Sequence, residues 1–125
     1  MQIRKPLVQT NGQMEQLPSG DAVEIGKLNL EPRETVHVAS TIAISRSFVR
    51  LRNDTGSTVN VDQIDGGERG DVIIITRRGT GNNILIRKGT GNVEGGPDRL
   101  MVTPSDTLML IKRNDSIWNE VSWQG

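Results

Sequence analysis

The sequence predicts an all-β protein: a compact antiparallel β-sandwich or barrel-like domain of short strands, preceded by an extended N-terminal arm. Three observations carry that prediction. Apolar, largely β-branched residues recur with a period of two or in short runs, as in Val72-Ile73-Ile74-Ile75 and Ile84-Leu85-Ile86, and such side chains fit a pleated surface. Glycine with asparagine punctuates these runs, including two copies of Gly-Thr-Gly-Asn (Gly79 to Asn82, Gly89 to Asn92) ten residues apart. That spacing holds one short strand and one tight turn. No segment keeps a helical period over the length an amphipathic helix needs.

Residues 1–35 form the arm and residues 36–125 the β-domain. The arm holds Pro6, Pro18 and Pro32, scattered apolar residues and an Asn11-Gly12 signal for a hairpin, so it is suited to lie on a neighbour more than to build a core. In the domain, Val36 and Val38 share one strand face, as do Ile42 and Ile44, while Val49 and Leu51 alternate in the opposite phase. A bulge or turn near Ser45-Arg46-Ser47 accounts for the slip, because a shift of one residue flips every later side chain. Val59 and Val61 follow a turn at Asn53 to Gly56, and Asp65 to Gly70 forms a longer loop. Asp71 to Asn92 then reads as a β-meander of two strands closed by the repeated glycine motif. Leu100 to Thr103, Thr107 to Ile111 and Ile117 to Trp123 complete the strands, with the last hairpin turn at Lys112 to Asp115.

Composition bounds the function. A chain of 125 residues buries about two-thirds of its unfolded surface, enough for one core. Fifteen basic and fifteen acidic residues cancel, so no long-range field draws the protein to nucleic acid or to an anionic membrane. There is no cysteine for disulfide or thiolate chemistry. No apolar run approaches the roughly 18 residues of a membrane span, and the N-terminus lacks a signal-peptide core; the expectation is a soluble protein made in the cytoplasm. One Phe, two Trp and no Tyr leave the core to be built from Ile, Val, Leu and Met.

The residues offer little to catalysis. His37 sits in the alternating Val36-His37-Val38 segment as a strand-face residue, with no nucleophile paired to it by motif. Arg87-Lys88-Gly89-Thr90 reverses the order of a phosphate-binding loop and follows a strand. Asp62, Asp65, Glu68 and Asp71 match no calcium-ligand ladder and read as a solvated turn. Arg69-Gly70-Asp71 and the glycosylation-like Asn53-Asp54-Thr55 and Asn114-Asp115-Ser116 are loop sequences without a secretory signal. Arg46, Arg50, Arg52, Arg77, Arg78, Arg87 and Lys88 give the middle of the chain a basic tint; with so few aromatics for base stacking, it reads as solvated or subunit-facing. The expectation is a protein that is not an enzyme and uses no cofactor or metal.

What the sequence does point to is self-association. Val72 to Ile75 and Leu108 to Ile111 are apolar at consecutive positions, where a half-exposed strand would alternate. Their second side is covered by the arm or by another subunit, and the residues assigned to subunit contact are Val72, Ile74, Leu108 and Leu110.

The C-terminal two-thirds resembles a β-domain of tailed-phage virion structural proteins. The likeness lies in Asp65-Gly66-Gly67, Gly70 to Ile75, Ile86 to Val93, Asp106 to Leu110 and Trp118 to Ser122, with Pro6-Leu7-Val8 and Gln16 to Asp21 similar to leader segments of phage structural proteins. The resemblance implies an all-β, commonly trimeric module of tail fibres, head fibres and capsid decoration proteins. A compact knob with a short arm and no preceding shaft fits a capsid decoration (cement) protein. Such a trimer binds the major capsid protein on the outer capsid surface of the virion, and the arm meets the capsid through Ile3, Leu7, Val8 and Leu17. The alternative is a tail or head fibre tip whose loops, Asp65 to Gly70 and Gly91 to Asp98, bind a host-cell receptor.

Overall fold

The computed structural model describes residues 26–125 in full and, before them, the backbone pairing of strands β1 (Leu7–Thr10) and β2 (Gln13–Gln16), which flank Asn11-Gly12. Eleven further strands follow: β3 (Glu34–His37), β4 (Thr41–Ala43), β5 (Phe48–Arg52), β6 (Val59–Val61), β7 (Gln63–Asp65), β8 (Val72–Arg77), β9 (Ile84–Ile86), β10 (Val93–Glu94), β11 (Arg99–Met101), β12 (Thr107–Lys112) and β13 (Trp118–Gln124). The fold is all-β, as the sequence predicts, with no helix among the described residues.

The pairing is mixed, and the parallel ladders give the molecule a solenoid-like character. Strands β3, β5 and β8 stack in parallel on one side, β6 and β9 on a second, and β4 and β7 on a third. The chain thus winds in successive coils, each strand lying on the one from the coil before. Antiparallel pairing, the expected mode, enters toward the C-terminus, where β12 lies against β8, β13 against β12, and β11 against β9, while β10 adds to the other side of β13 in parallel. The largest sheet has six strands in the order β10-β13-β12-β8-β5-β3.

The β-meander expected over Asp71 to Asn92 is not formed. Both strands exist, but β8 pairs with β5 and β12, whereas β9 pairs with β6 and β11 in a different sheet. The two glycine motifs that were to close it are corners of the coil. The second glycine of each passes against a carbonyl of an earlier coil: a Cβ on Gly81 would lie 2.5 Å from the Asn53 oxygen, and one on Gly91 2.1 Å from the Asp62 oxygen. The following asparagine donates its backbone N–H to that same carbonyl, Asn82 to Asn53 at 2.8 Å and Asn92 to Asp62 at 3.2 Å. Only glycine lets the backbone approach so closely.

One core lies between the sheets. It is aliphatic except for Met101 and the fully buried Trp118. The Trp118 indole fits because Gly67, at φ 78°, leaves room over the ring, and its Nε1–H donates to the Ile64 carbonyl at 3.3 Å. The inward row of β8 ends in Arg77 and that of β12 in Lys112, at opposite ends of the antiparallel pair. Both charges are satisfied by loop carbonyls: Arg77 donates to Arg78, Gly81 and Asn82, and Lys112 to Gly66 and Gly67. Each thereby fastens a loop over an end of the core, where an unpaired charge would be costly.

Asn92 supplies part of a missing strand. Its buried side-chain amide accepts from the Ile64 N–H at 2.8 Å and donates to the Ile64 carbonyl at 2.7 Å. It thus acts as a peptide group on the side of β7 away from β4. Elsewhere ion pairs tie the sheets together. Glu120 on β13 takes a two-point contact from Arg99 and a 2.8 Å contact from Lys88, itself only 6% exposed. The Arg99 guanidinium, and after it the Lys88 ammonium, hold the Glu120 carboxyl down to about 2, against the opposing effect of burial.

Candidate interaction surface

The outer face of the six-stranded sheet is the surface on which the sequence and the structure converge. Alternation along β5, β8 and β12 sends Val49, Leu51, Ile73, Ile75, Leu108 and Leu110 inward and the intervening residues outward. Registration then builds rows across the outer face. Phe48, Ile74 and Met109 make an apolar row ending at Ser122, and Val72 stands beside Ile111. Further along the strands Thr35, Arg50, Thr76 and Thr107 make a polar row, and His37 beside Arg52 begins a charged one.

The four residues assigned to subunit contact therefore divide between two faces. Val72, 39% exposed, and the half-buried Ile74 lie on the outer face; Leu108 and Leu110 are wholly inside the chain's own core. Phe48, Met109 and Ile111 hold the outward positions beside them. The signal that could have separated the faces is in β5, where Phe48, Arg50 and Arg52 alternate cleanly with Val49 and Leu51 and so fix the phase of their neighbours. The side chains of Ile3, Leu7, Val8 and Leu17 lie outside the described residues.

The C-terminal part of the arm crosses the apolar row. Leu28 and Leu30 form, with Phe48 and Ile74, a cleft of about 330 Å³, and an adjoining one of about 440 Å³ is lined by the same leucines with Val72, Ile74 and Met109. Leu30 is half-buried there, but Leu28 stays 71% exposed. Arg33 lies over the Phe48 ring at 5.4 Å. The arm thus shields part of the apolar row and adds an exposed leucine of its own.

The opposite end of this face is cationic. Arg52 and Arg78 share the single carboxylate of Asp54, Arg78 at 2.7 Å, and Arg52, by its hydrogen bond, is the main cause holding that carboxyl below its ordinary range. Arg50 donates to the Thr35 hydroxyl at 3.0 Å, while its Nε is buried without an acceptor, the one such side-chain atom among the described residues.

The other candidate positions fall apart as sites. His37 is exposed on the edge strand β3. Asp62 is held by a two-point contact from Arg87 at 2.6 Å, and Asp71 accepts from the Glu68 backbone N–H at 2.8 Å. Among the described residues no three His, Cys, Asp or Glu side chains gather as a metal site would require. Arg69-Gly70-Asp71 is part of a tight loop tied to Lys112 through the Gly70 N–H at 2.8 Å. Neither a protein-family model nor a curated protein matches this chain.

Proposed function

We propose that this chain is a tailed-phage virion structural protein that decorates the outer capsid surface as a homotrimer and stabilises the lattice of the major capsid protein. The observation that supports it is the apolar row Phe48, Ile74 and Met109 with Val72 beside it, left partly open on the outer sheet face and flanked by the exposed Leu28. Contiguous apolar surface of this kind marks contact with another protein. A protein that binds only the assembled lattice stabilises it by mass action. With three arms per trimer, each contact can be weak, since the second and third act at high effective concentration.

The fibre-tip reading asks for a surface that recognises a host polysaccharide or protein. Sugar platforms use exposed rings, and here Trp118 is wholly buried while Trp123 is half-buried under Arg99, 5.5 Å away. The test is co-sedimentation of purified protein with undecorated capsids and, separately, with host cells. Binding to capsids, lost on deletion of residues 1–20 from a still-folded oligomer, is the expected result. Binding to cells alone would overturn the assignment, and capsid binding that survives the deletion would overturn the role of the arm.

A further inference from the structure

We infer that the cationic end of the outer sheet face, anchored by Arg50, docks onto the cleft bearing Glu68 and Asp115 of the next copy of this chain, a head-to-tail contact that rests on the trimer reading above. Charge complementarity between the two ends of β8 carries the contact. At the cationic end Arg52 and Arg78 share one carboxylate, Asp54, and Arg50, in the neighbouring row, is bonded only to the Thr35 hydroxyl. At the other end of β8, beyond Asp71, Glu68 and Asp115 line a polar cleft of about 470 Å³ together with Gly67 and Arg69. Neither of those two carboxylates has an ion-pair partner among the described residues. The whole chain is neutral, so the excess at one end is matched by a deficit elsewhere on the same molecule.

Two different patches that complement each other make a heterologous contact, and a ring of copies is how such contacts close. A two-fold dimer would have to make the same contact twice on one shared face; sedimentation equilibrium tells the two arrangements apart by stoichiometry, and a dimer would overturn the head-to-tail contact.

Arg50 is the anchor because its hydrogen bonding is incomplete in the isolated chain. Its guanidinium lies against the sheet with Nε covered and without an acceptor, and a group left so is rare enough to need a reason. Lifting the side chain toward an incoming carboxylate would free Nε and offer the planar fork that carboxylates accept. The neighbouring apolar row would bury beside it, an arrangement in which arginine commonly contributes strongly to association.

Sedimentation equilibrium of the full chain at low salt tests this with four proteins: wild type, Arg50→Glu, Glu68→Arg and the doubly exchanged Arg50→Glu/Glu68→Arg, plus the same exchange made with Asp115→Arg. Circular dichroism confirms that each is folded, and Arg50→Gln serves as the milder variant should Arg50→Glu not fold. Each single change is expected to weaken association about tenfold or more, and at least one exchanged pair to bring it back to within about threefold of wild type. Singles that associate like wild type, or exchanges that restore nothing with either acid, would overturn this contact while leaving the trimer standing. A wild-type chain that stays monomeric would instead overturn the trimer reading itself.

Discussion

Replacing Asn92 by alanine should cost far more than one side chain's hydrogen bonds usually do. The amide completes both the N–H and the carbonyl of Ile64, at 2.8 and 2.7 Å, in a buried place. Without it the Ile64 N–H is orphaned, a loss of about 1–3 kcal/mol. The carbonyl keeps the Trp118 Nε1–H at 3.3 Å, so its share is nearer ~1 kcal/mol. The sum, about 2–4 kcal/mol, corresponds to a fall in Tm of about 8–16 °C for a domain of this size. Urea denaturation followed by Trp118 fluorescence, at one fixed protein concentration because association shifts apparent stability, measures it directly. Asn92→Asp is the informative companion. Ionised, it sets a buried charge against the Ile64 carbonyl; protonated, it can accept and donate as the amide does, so this variant should gain stability as pH falls. An alanine variant within about 1 kcal/mol of wild type would refute the view that this side chain stands in for a strand.

Core and outer face should respond differently to the same change. Leu108→Ala should lose about 2–5 kcal/mol by opening a cavity, whereas Met109→Ala should leave the isolated chain nearly as stable and weaken self-association, read by denaturation and sedimentation respectively. Gly91→Ala drives a methyl to 2.1 Å from the Asp62 oxygen and should destabilise by about 2 kcal/mol or more, with Gly79→Ala, whose added carbon meets nothing within 4 Å and whose φ, like that of Gly91, is not positive, as the control for the added methyl alone. Glu120 has its carboxyl pKa lowered from 4.5 to about 2 on folding, so its contribution is complete above 4.5 and is lost as pH falls toward 2. It amounts to about 2 kcal/mol once solvent screening is allowed for. Glu120→Gln should flatten that part of the stability profile in acid titrations.

Strand positions were legible in the sequence because β-branched runs and turn residues are local signals. Pairing was not. Parallel rungs join residues far apart along the chain, such as Phe48 with Ile74 and Val59 with Ile84, and coils of unequal length leave no fixed repeat to detect. The two Gly-Thr-Gly-Asn motifs were visible, but a glycine needed for a hairpin and one needed for close passage over a carbonyl look alike in text. Likewise Val72 to Ile75 reads as apolar throughout, and only its neighbours in the sheet reveal that Ile73 and Ile75 face the core while Val72 and Ile74 face out. The basic tint of Arg50, Arg52 and Arg78 was visible in the sequence, but its geometry was not: Arg50 and Arg52 stand on β5 and Arg78 just past β8, and they come together only through registry.

The unequal corners carry an evolutionary meaning. Asp62 alone links β6 to β7, while Asn53 to Thr58 connects β5 to β6 through the exposed Asp54 to Ser57 stretch. Length can thus vary at a bend without shifting the ladders on either side. A peptide spliced in beside Gly56 would project outward while the rungs stayed in step, giving the scaffold a place to acquire or display new epitopes at little risk to its folding.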